Sequence, residues 1–525
     1  MKPDGGSLIG FGSGAPGGRT FLAFDPVRNA EFEPAFASAT ADDIALAAEL
    51  AAAAAPVWVK LSGSARGQFL RAIATNLERK ADDLVTRAKQ ETALPEARLR
   101  GELARTCGQL RLYGETAKRG DWLDARIETA DPARKPLPKP DHRSMLRPLG
   151  PVVVFGSSNF PFAYSVAGGD TASAFAAGCP VIVKAHPAHP GTSELVGRLI
   201  LHAVRDCGLP EGTFSLLLDA RFEVGQALVK HPLVKAVGFT GSLQGGRALT
   251  DLAAARPEPI PVYAEMGSIN PVFVLPGAIA ERAAALAEGL HASATVGVGQ
   301  FCTNPGLIVV QRSPAAEKWV KTLAEKLAGT PEGMMLTASI ARNFRTGVET
   351  LSRQAGVRIL TQRAATVSCG AVPVWFETDA LDFLGNATLL EEIFGPSALV
   401  VWCRDAIEML RVAGHLEGSL TATIHADAAE ATGLGELTDV LAVKAGRVIF
   451  NGFPTGLEVS SAIVHGGPYP AASDGGRSTS VGTRALNRWA RLVCYQNFTD
   501  SLLPPELQNG NPLGLRRLVN GEWTR

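Results

Sequence analysis

The chain has 525 residues, too many for one hydrophobic core, so its length predicts two or three domains. Its 46% hydrophobic and 19% charged residues are typical of a soluble globular protein. Basic and acidic residues balance at 51 each, so no net charge would attract nucleic acid or an anionic membrane. No apolar run reaches the roughly 18 residues of a membrane span, and the N-terminus does not resemble a signal peptide.

The seven cysteines are scattered along the chain, and no two of them form a C-x-x-C pair. An odd number at irregular spacing argues against a disulfide framework and against a zinc site. We therefore expect a protein of the reducing cytoplasm that holds no metal.

Residues 41–92 are rich in alanine, with apolar side chains at helical spacing, and predict helices on the flank of a first domain. Residues 131–149 begin with a run dense in proline, which cannot be helical. We interpret this segment as an extended arm or an edge hairpin that leaves the domain.

Strand and helix patterns alternate from residue 151 onward, which predicts a doubly wound parallel sheet with ligands at the carboxyl ends of its strands. A similar alternation after residue 270 predicts a second α/β domain that carries Cys302. The predicted strands are 151–155, 181–184, 214–218, 236–239, 271–275, 307–310 and 398–402, and the predicted helices of the first sheet are 163–177 and 192–204.

Two glycine-rich segments are candidates for binding the phosphates of a nucleotide. Residues 12–17 match G-x-G-x-x-G, but no strong strand precedes them and residues 20–24 read as a strand, so we interpret them as a lead-in. Gly241 and Ser242 follow an apolar strand and would open a helix over 245–255, whose N-terminal amides suit a pyrophosphate. A tight turn with Ser242 as the helix N-cap explains the same residues.

Cys302 lies in the glycine-rich stretch 297–303, and Glu265 lies upstream on a segment of its own. A thiol that a substrate can approach closely is a candidate nucleophile, and a separate carboxylate is a candidate base for activating water. Together they predict covalent catalysis through a thioester that is later hydrolysed. Taken alone, such a cysteine is more often an inert core residue.

Six segments, in chain order, resemble the motifs of the aldehyde dehydrogenase superfamily. The resemblance implies a Rossmann-like cofactor domain, an α/β catalytic domain and a small β oligomerisation arm, acting together in NAD(P)-dependent oxidation of an aldehyde to a carboxylic acid. The segments are 158–161 (Ser-Asn-Phe-Pro), 183–184 (Val-Lys), 239–242 (Phe-Thr-Gly-Ser), 265–267 (Glu-Met-Gly), 299–302 (Gly-Gln-Phe-Cys) and 392–396 (Glu-Ile-Phe-Gly-Pro).

The resemblance also implies domain boundaries and an assembly. The cofactor domain would comprise residues 1–130 and 150–264 with part of 466–490, and the catalytic domain residues 265–465. The arm would comprise 131–149 and 491–525, including a strand at Arg517, and it implies a homodimer or a homotetramer built by sheet extension.

Motif by motif, the resemblance implies that Cys302 attacks the aldehyde to give a hemithioacetal, which loses hydride to nicotinamide and becomes a thioester. Glu265 would activate the hydrolytic water. The side-chain amide of Asn159 and the main-chain N–H of Cys302 would form the oxyanion hole. Asn159 could instead be a turn residue, and Glu265 could cap a turn.

On the cofactor side the resemblance implies ribose contacts from Lys184 and Glu392, a pyrophosphate contact at Gly241 and Ser242, and nicotinamide packing against Phe394. Lys184 at a strand end could instead be a solvated charge. The joint occurrence of the motifs favours the functional interpretation.

One departure from the family pattern concerns the cofactor. Members that prefer NAD commonly have an acidic residue three positions after the strand lysine, where this chain has Pro187. A 2′-phosphate is then not repelled, and Lys184 with Arg221 would attract it. We expect NADP, with NAD also accepted, and we expect His186 and His189 at the surface before the next helix.

A second departure lies near the end of the catalytic domain. Many members have an aromatic residue before a Gly-Gly pair, where this chain has His465. The alignment places His465 close to Cys302 and the nicotinamide, where it could tune the thiolate or transfer a proton. A structural histidine bonded to the loop backbone is equally consistent.

Residues 167–174, 186–194, 451–456 and 465–471 resemble the branch of the family that oxidises 2,5-dioxopentanoate (α-ketoglutaric semialdehyde) to 2-oxoglutarate. That branch also resembles NADP-dependent fatty aldehyde dehydrogenases, so a long-chain aldehyde is the alternative substrate. A keto-carboxylate needs a cation or several donors at the tunnel mouth, and no motif identifies them. Four phenylalanines could equally line an apolar channel: Phe160, Phe162, Phe301 and Phe453.

Other classes of protein keep some of these features. A non-redox cysteine acyl hydrolase or acyltransferase would form a thioester without needing Lys184, Ser242 and Glu392. Retention of Glu265 favours water over coenzyme A as the acyl acceptor. A non-catalytic relative would not require Cys302, Glu265 and Asn159 together.

Overall fold

The computed structural model describes residues 1–15 and 19–525, so Pro16 and Gly17 of the first glycine-rich segment lie outside the described residues. The helices are α1 (Ala41–Lys60), α2 (Gly63–Arg79), α3 (Ala81–Thr92), α4 (Glu96–Arg119), α5 (Gly169–Ala177), α6 (Pro190–Asp206), α7 (Glu223–Lys230), α8 (Leu243–Ala254), α9 (Pro276–Thr295), α10 (Pro314–Ala328), α11 (Ala338–Ser352), α12 (Ala380–Gly385), α13 (Ala406–His415) and α14 (Gly435–Ala442). The strands are β1 (Leu8–Ile9), β2 (Gly12–Ser13), β3 (Thr20–Asp25), β4 (Ala30–Ala37), β5 (Arg126–Glu128), β6 (His142–Pro148), β7 (Val152–Phe155), β8 (Val181–Lys184), β9 (Phe214–Leu217), β10 (Ala236–Thr240), β11 (Val262–Glu265), β12 (Val272–Val274), β13 (Leu307–Gln311), β14 (Gly333–Met334), β15 (Arg358–Thr361), β16 (Gly370–Ala371), β17 (Val374–Asp379), β18 (Ser397–Cys403), β19 (Ser419–His425), β20 (Ala445–Phe450), β21 (Ala490–Gln496), β22 (Arg517–Val519) and β23 (Glu522–Thr524).

The first sheet has the strand order β11-β10-β7-β8-β9-β1-β2. Strands β7 to β11 pair in parallel, while β1 pairs with β9 in antiparallel orientation. The chain runs outward from β7 in one direction through β8 and β9, and in the other through β10 and β11. This is the predicted doubly wound sheet, and the change of direction beside β7 opens a crevice at the carboxyl ends of the strands.

Helices of the first layer begin where the sequence supplies caps. At α1, Thr40 accepts a hydrogen bond from the Asp43 main-chain N–H (3.2 Å), and the Asp43 carboxylate accepts one from the Thr40 N–H (2.8 Å). This reciprocal box stabilises a helix start by about 1 kcal/mol. The apolar faces of α1, α2 and α5 meet at Trp58, Phe69 and Phe175, whose rings lie 5.1–5.8 Å apart.

The helix predicted over 163–177 begins later, at Gly169, so that expectation was wrong at its start. The main-chain N–H groups of Phe162 and Ala163 donate to the Glu102 carboxylate on α4, at 2.8 and 2.9 Å. Because a side chain of another helix binds these donors, residues 160–168 form turns. No linear pattern signals such a long-range acceptor.

The second sheet has the order β15-β17-β18-β13-β12-β19-β20, parallel except for β15. Its central strands β12, β13, β18 and β19 are buried on both faces, as the near-continuous apolar runs predict, whereas the edge strands β15 and β20 are partly exposed. Cys302 lies on the connection from α9 to β13, so the predicted second α/β unit and its nucleophile occur together.

The third sheet has the order β21-β6-β5-β22-β23. The proline-rich run before β6 forms a loop closed by paired main-chain hydrogen bonds between Asp131 and Lys139, at 2.8 and 2.9 Å. One expectation needs correction: β5, placed by the predicted boundaries in the cofactor domain, pairs with β6 and β22 in this sheet. The division of the whole chain into domains stays a prediction.

The predicted strand at residues 20–24 is confirmed as β3, which forms a hairpin with β4. Within the described residues, no helix is both long and apolar enough to cross a bilayer.

Candidate active site

Strand ends of the first sheet supply half of the candidate site. Asn159 follows β7, Lys184 is the last residue of β8, Ser242 follows β10, and Glu265 is the last residue of β11. Because β11, β10, β7 and β8 are parallel neighbours, their carboxyl ends lie along one edge. The rest of the site comes from loops beyond β11.

The turn before Cys302 has an unusual backbone. Gly297, Val298 and Gly299 have φ values of 58°, 58° and 64°, a region that β-branched valine rarely adopts. A Cβ on Gly299 would lie 2.4 Å from the Gly395 carbonyl oxygen, so only glycine allows this approach. The close contact joins the nucleophile motif to the 392–396 motif.

Asn270, which no motif marks, fixes the backbone of the nucleophile. It is fully buried, and its Nδ2 donates to the carbonyl oxygens of Cys302 and Asn304, both at 2.9 Å. Ser268 donates to its Oδ1 at 2.8 Å. These bonds hold the main chain on both sides of Cys302, so the protein itself fixes the backbone that carries the thiol.

Cys302, His465 and Glu265 form one contact cluster. His465 Nε2 lies 3.5 Å from Cys302 Sγ and 3.1 Å from Glu265 Oε1. The contact between His465 Nε2 and the sulfur satisfies hydrogen-bond geometry, whereas its contact with Glu265 Oε1 does not. Among the described residues Oε1 has no hydrogen-bond partner. The other carboxylate oxygen, Oε2, accepts from Ser480 Oγ at 3.0 Å. A single imidazole nitrogen therefore lies between the candidate nucleophile and the candidate base.

The main chain of the His465 loop is held independently of the ring. The His465 N–H donates to Thr479 Oγ1 at 2.9 Å, and its carbonyl accepts from the Ser480 N–H at 2.8 Å. The alternative of a ring bonded to the loop backbone is therefore not what the structure has. The predicted position of His465 close to Cys302 is the one observed.

Burial and charge move the two reactive groups in opposite directions. Burial, and then the neighbouring Glu265 carboxylate, raise the pKa of the Cys302 thiol well above its ordinary value, although the side chain keeps partial access to solvent. Burial alone would raise the pKa of Glu265, but His465, the Ser480 hydroxyl and Arg488 outweigh it and lower that pKa. The resting pair is thus a thiol beside a carboxylate.

Asn159 lies against the nucleophile segment. Its Nδ2 donates to the Gln300 carbonyl at 3.1 Å, and its own carbonyl accepts from Arg98 Nη2 at 2.8 Å. The side chain is buried, which a simple surface turn would not require. A carboxamide donor beside Cys302 suits a developing oxyanion, and that role stays a prediction.

Lys184 occupies the carboxyl end of β8 as a buried cation. Its Nζ donates to the Asp219 carbonyl at 2.7 Å, and the described residues offer its ammonium no other hydrogen bond. Burial lowers its pKa to about 8, opposed by the Asp219 carboxylate. A desolvated ammonium with spare donors fits a ribose hydroxyl or a phosphate, so the residues present suit a nucleotide cofactor. The alternative of a merely solvated charge does not fit this buried position, and the ribose contact stays a prediction.

Gly241 and Ser242 open α8, as predicted. Ser242 is the N-cap, its Oγ accepting from the Gly245 N–H at 3.2 Å. The Gly241 N–H donates to the Glu265 carbonyl at 3.1 Å, so a cofactor contact at Gly241 would not use this donor. The cap interpretation is therefore confirmed, and it leaves the Ser242 hydroxyl exposed for a further contact.

The remaining cofactor candidates line more open surfaces. Glu392 and Phe394 line one cleft together with Phe301. Desolvation of the Glu392 carboxyl by neighbouring protein atoms raises its pKa. The residue as a whole is nevertheless exposed. Arg221 is exposed on the loop after β9.

The surface position expected for His189 was wrong. His189 is fully buried, and its ring lies 2.8 Å from the Ser157 carbonyl and 3.2 Å from Ser193 Oγ. His186 is half-buried, and its Nδ1 accepts from the Ala188 N–H at 3.1 Å. Both rings thus organise the turn between β8 and α6 beside Lys184.

The sulfur, nitrogen and oxygen of Cys302, His465 and Glu265 lie within 4.8 Å of one another, a spacing that a metal ion could also use. One hydrogen bond, between Cys302 and His465, already joins two of these groups, and the expected absence of a metal stays a prediction.

Comparison with known proteins gives the class of the chain. A model of the aldehyde dehydrogenase family matches residues 15–477, and the chain belongs to that family. Membership confirms the predicted NAD(P)-dependent oxidation of aldehydes. Among its relatives, alpha-ketoglutaric semialdehyde dehydrogenase 2 of Azospirillum brasilense is 50% identical over 524 residues, covering 99% of this chain and 100% of that protein. Alpha-ketoglutaric semialdehyde dehydrogenase of Acinetobacter baylyi is 46% identical, covering 93% of each.

Solved structures share the fold. The aldehyde dehydrogenase KauB from Pseudomonas aeruginosa superposes with a TM-score of 0.81 at 22% identity, covering 94% of this chain and 97% of that one. Betaine aldehyde dehydrogenase from Staphylococcus aureus, solved with NAD⁺, gives 0.80 at 19% identity, covering 94% and 95%. The predicted fold is thereby confirmed.

The structure also places near the site several side chains that no sequence motif predicted. Two arginines of α4 contact neighbours of the site: Arg98 donates to the Asn159 carbonyl at 2.8 Å, and Arg105 donates to the Tyr164 hydroxyl at 3.1 Å. The Tyr164 ring lies 5.9 Å from the ring of His465. Arg98, Glu102 and Arg105 recur at i, i+4 and i+7 on α4, which puts charges on one face of a helix. That spacing is the sequence feature that could have indicated these residues, but it is equally typical of a solvent-exposed helix face.

Proposed function

We propose that this chain oxidises 2,5-dioxopentanoate to 2-oxoglutarate with NAD(P). The names of the two relatives above support the substrate. The chemistry is supported chiefly by the cluster of Cys302, His465 and Glu265, in which one imidazole nitrogen contacts both a thiol and a carboxylate.

In the first step the Cys302 sulfur bonds to the aldehyde carbon, and the thiol proton passes to His465 Nε2, 3.5 Å away. The Asn159 amide and the Cys302 main-chain N–H stabilise the oxyanion that forms. NAD(P), which Lys184, Ser242 and Glu392 would hold, would supply the hydride acceptor that this carbon needs to reach the oxidation level of a thioester. Cys302 thus carries the acyl group through the redox step.

Glu265 acts in the second step as the base for hydrolysis. Its pKa is lowered, so it is ionised at neutral pH and can take a proton from water that attacks the thioester. The bond between sulfur and the acyl carbon breaks, the product leaves as a carboxylic acid, and the Cys302 sulfur regains a proton. His465, in contact with both groups, carries protons between them.

On the cofactor side we propose that NADP is preferred and NAD is accepted. Lys184 offers spare donors at the end of β8, and Pro187 provides no carboxylate to repel a 2′-phosphate. The acid beside Lys184 is Asp219, whose Oδ2 accepts from the Val224 N–H (3.4 Å) at the start of α7. Its charge is therefore partly compensated by the helix. Ser242, Glu392, Phe394 and Arg221 would complete the site.

We also propose that the chain forms a homodimer or a homotetramer through the third sheet. The edge strand β21 exposes Leu492, and an unpaired edge of this kind can extend a sheet into a second copy. Light scattering on a sizing column distinguishes the two assemblies, and a monomer at micromolar concentration would contradict both.

The deciding experiment follows absorbance at 340 nm with NADP or NAD, and with 2,5-dioxopentanoate, hexanal or decanal. We expect the keto-acid to give the highest kcat/KM and Cys302→Ala to abolish turnover. Faster oxidation of decanal would assign a fatty aldehyde dehydrogenase instead. A rate unaffected by EDTA is expected, since no step uses a metal.

A further inference from the structure

The two candidate oxyanion donors come from separate segments of the chain. Asn159 follows β7, whereas Cys302 follows the turn at 297–299 after α9. One N–H of the Asn159 amide donates to the Gln300 carbonyl at 3.1 Å, and the second N–H of a carboxamide remains for a substrate oxygen. Because a misplacement of about 1 Å can cost about 10²-fold in rate, the spacing of the two donors must be held.

Arg98 of α4 contacts both segments. Its guanidinium lies over the ring of Phe160, the neighbour of Asn159, and over the ring of Phe301, the neighbour of Cys302, 5.1 and 4.5 Å from their centroids. The two rings meet edge to face with their centroids 5.3 Å apart. Arg98 Nη2 also donates to the Asn159 carbonyl at 2.8 Å. One side chain therefore contacts the neighbour of each oxyanion donor.

The guanidinium of Arg98 also packs against the backbone of the nucleophile turn. A Cβ on Gly297 would lie 2.4 Å from Arg98 Nη1 and 2.7 Å from the Phe301 ring. Nη1 is buried, and among the described residues it has no hydrogen-bond partner. Arg98 thus fills the space between the turn that presents Cys302 and the segment that presents Asn159.

Glu102, one turn further along α4, holds the other end of the Asn159 segment. Its Oε1 accepts hydrogen bonds from the Phe162 and Ala163 main-chain N–H groups at 2.8 and 2.9 Å. Glu102 is the acidic neighbour of Arg98, but within the described residues the two charges bond opposite ends of segment 159–163 and not each other. The cation binds a carbonyl and the anion binds two N–H groups, so α4 fixes this segment at both ends.

We propose that Arg98 is a positioning residue, which sets the Asn159 amide against the Cys302 main-chain N–H so that both donors reach one oxyanion. This inference rests on the proposed function, in which these two groups form the oxyanion hole. Arg98 does not touch the reacting atoms and acts through the Asn159 carbonyl and the two phenylalanine rings. A guanidinium suits this role because it is planar, stacks on rings and donates in its own plane.

The test is a double-mutant cycle of Arg98→Met and Asn159→Ala, measured as kcat/KM for 2,5-dioxopentanoate and for pentanal at saturating NAD(P). Arg98→Met alone should lower kcat/KM for both aldehydes by the same factor, about 10–100-fold, because the oxyanion donors no longer converge. In the Asn159→Ala background the same change should cost at most about twofold, since the donor that Arg98 positions is already absent. The KM for the cofactor should stay constant.

Arg100→Met is the matched control. Arg100 lies on the same helix but is exposed, and it binds Glu96 and Asp82 at the surface. Its loss should leave kcat/KM unchanged for both aldehydes. Arg98→Lys keeps the charge without the planar stack and should restore part of the rate. If Arg98→Met does not fold, Arg98→Lys supplies the cycle.

Three results would overturn the inference. Wild-type kcat/KM in Arg98→Met would leave Arg98 without a role in the reaction. An equal loss in both backgrounds would show that Arg98 acts independently of Asn159, and a loss confined to the keto-acid would make Arg98 a substrate contact. Failure of the proposed function gives a different result, because Asn159→Ala itself would then keep the wild-type kcat/KM and the oxyanion role of Asn159 would fall together with this inference.

Discussion

The thiol side and the cofactor side of the cleft differ in how firmly the protein holds their side chains. On the thiol side, His465 and Glu265 are 1% and 2% exposed and are in direct contact. On the cofactor side, Ser242, Glu392 and Arg221 are exposed. The comparison indicates that the catalytic groups are preorganised by the chain, whereas most cofactor groups gain their partners when the cofactor binds.

Substitutions should therefore separate the two sides kinetically. Changes on the thiol side remove interactions needed in the transition state and should lower kcat. Changes on the cofactor side should raise the KM for NAD(P) and leave kcat at saturation nearly constant. Lys184 tests the boundary, because it lies on the cofactor side and is nevertheless buried.

The largest effect is expected for Glu265→Gln, which keeps the shape of the side chain but removes the base. Steady-state turnover should fall about 10²–10⁴-fold, because hydrolysis of the thioester loses its proton acceptor. Acylation should continue, so stopped-flow absorbance at 340 nm should show one burst of reduced nicotinamide per active site. Without a burst, Glu265 would be required before hydride transfer.

Ser480→Ala is the milder companion of that variant. It removes the hydrogen bond to Glu265 Oε2 and the hydroxyl contact with the His465 carbonyl at 3.1 Å, while the Ser480 main-chain N–H still donates to that carbonyl. Loss of one such bond to a charged group should cost far less than loss of the base. Equal losses of turnover in Ser480→Ala and Glu265→Gln would show that the Glu265 variant is slow because the side chain at position 265 is misplaced, and not because proton transfer is lost.

Asn159→Ala should have the next largest effect. Removal of one oxyanion donor lowers kcat by about 10²–10³-fold. Asn159→Asp has nearly the same size without the N–H donor, so it should lose as much, and differential scanning fluorimetry should confirm that both variants fold. If kcat for Asn159→Ala stays within a few-fold of wild type, Asn159 does not act as an oxyanion donor, and its role is limited to the hydrogen bond with Gln300.

The sequence predicted more of the backbone than of the pocket. Apolar runs over β7, β8 and β10 identified a parallel sheet, and the order of strands places their carboxyl ends, with Lys184 and Glu265, at one edge. Local chemistry was also sufficient for Ser242, since a serine before a helix start is an N-cap. These features depend on neighbours in the chain.

What escaped prediction depends on contacts distant in the chain. Glu102 shortens the helix that begins at Gly169 by binding main-chain donors some sixty residues away. Asn270 holds Cys302 across thirty-two residues. His189 looked like a surface residue because its acceptor, Ser157, lies on the neighbouring strand end. No local period encodes such partners.

Lys184→Met tests the cofactor side, with a smaller effect. Loss of a charged contact should raise the KM for NADP about 10-fold or more, while kcat at saturating cofactor changes little. Initial rates measured with NADP and with NAD locate the contact. An equal rise in KM for both cofactors indicates that Lys184 contacts the ribose, whereas a rise in KM for NADP alone indicates that it contacts the 2′-phosphate. Arg221→Ala, an exposed control, should affect NADP only and less strongly. An unchanged KM in Lys184→Met would remove Lys184 from the cofactor site.

The smallest effect is a shift in the reactivity of the thiol, which probes the preorganised side directly. Burial first, and Glu265 second, raise the pKa of Cys302, so Glu265→Gln should lower that pKa towards the ordinary value without reaching it. Because iodoacetamide reacts with the thiolate, alkylation of Cys302 in the cofactor-free variant should begin at lower pH than in the wild type. The exposed Cys207 and Cys494 also react, so the modified peptide must be followed by mass spectrometry. An unchanged profile would mean that His465 neutralises the Glu265 charge, and the cluster would then act as an ion pair beside the thiol.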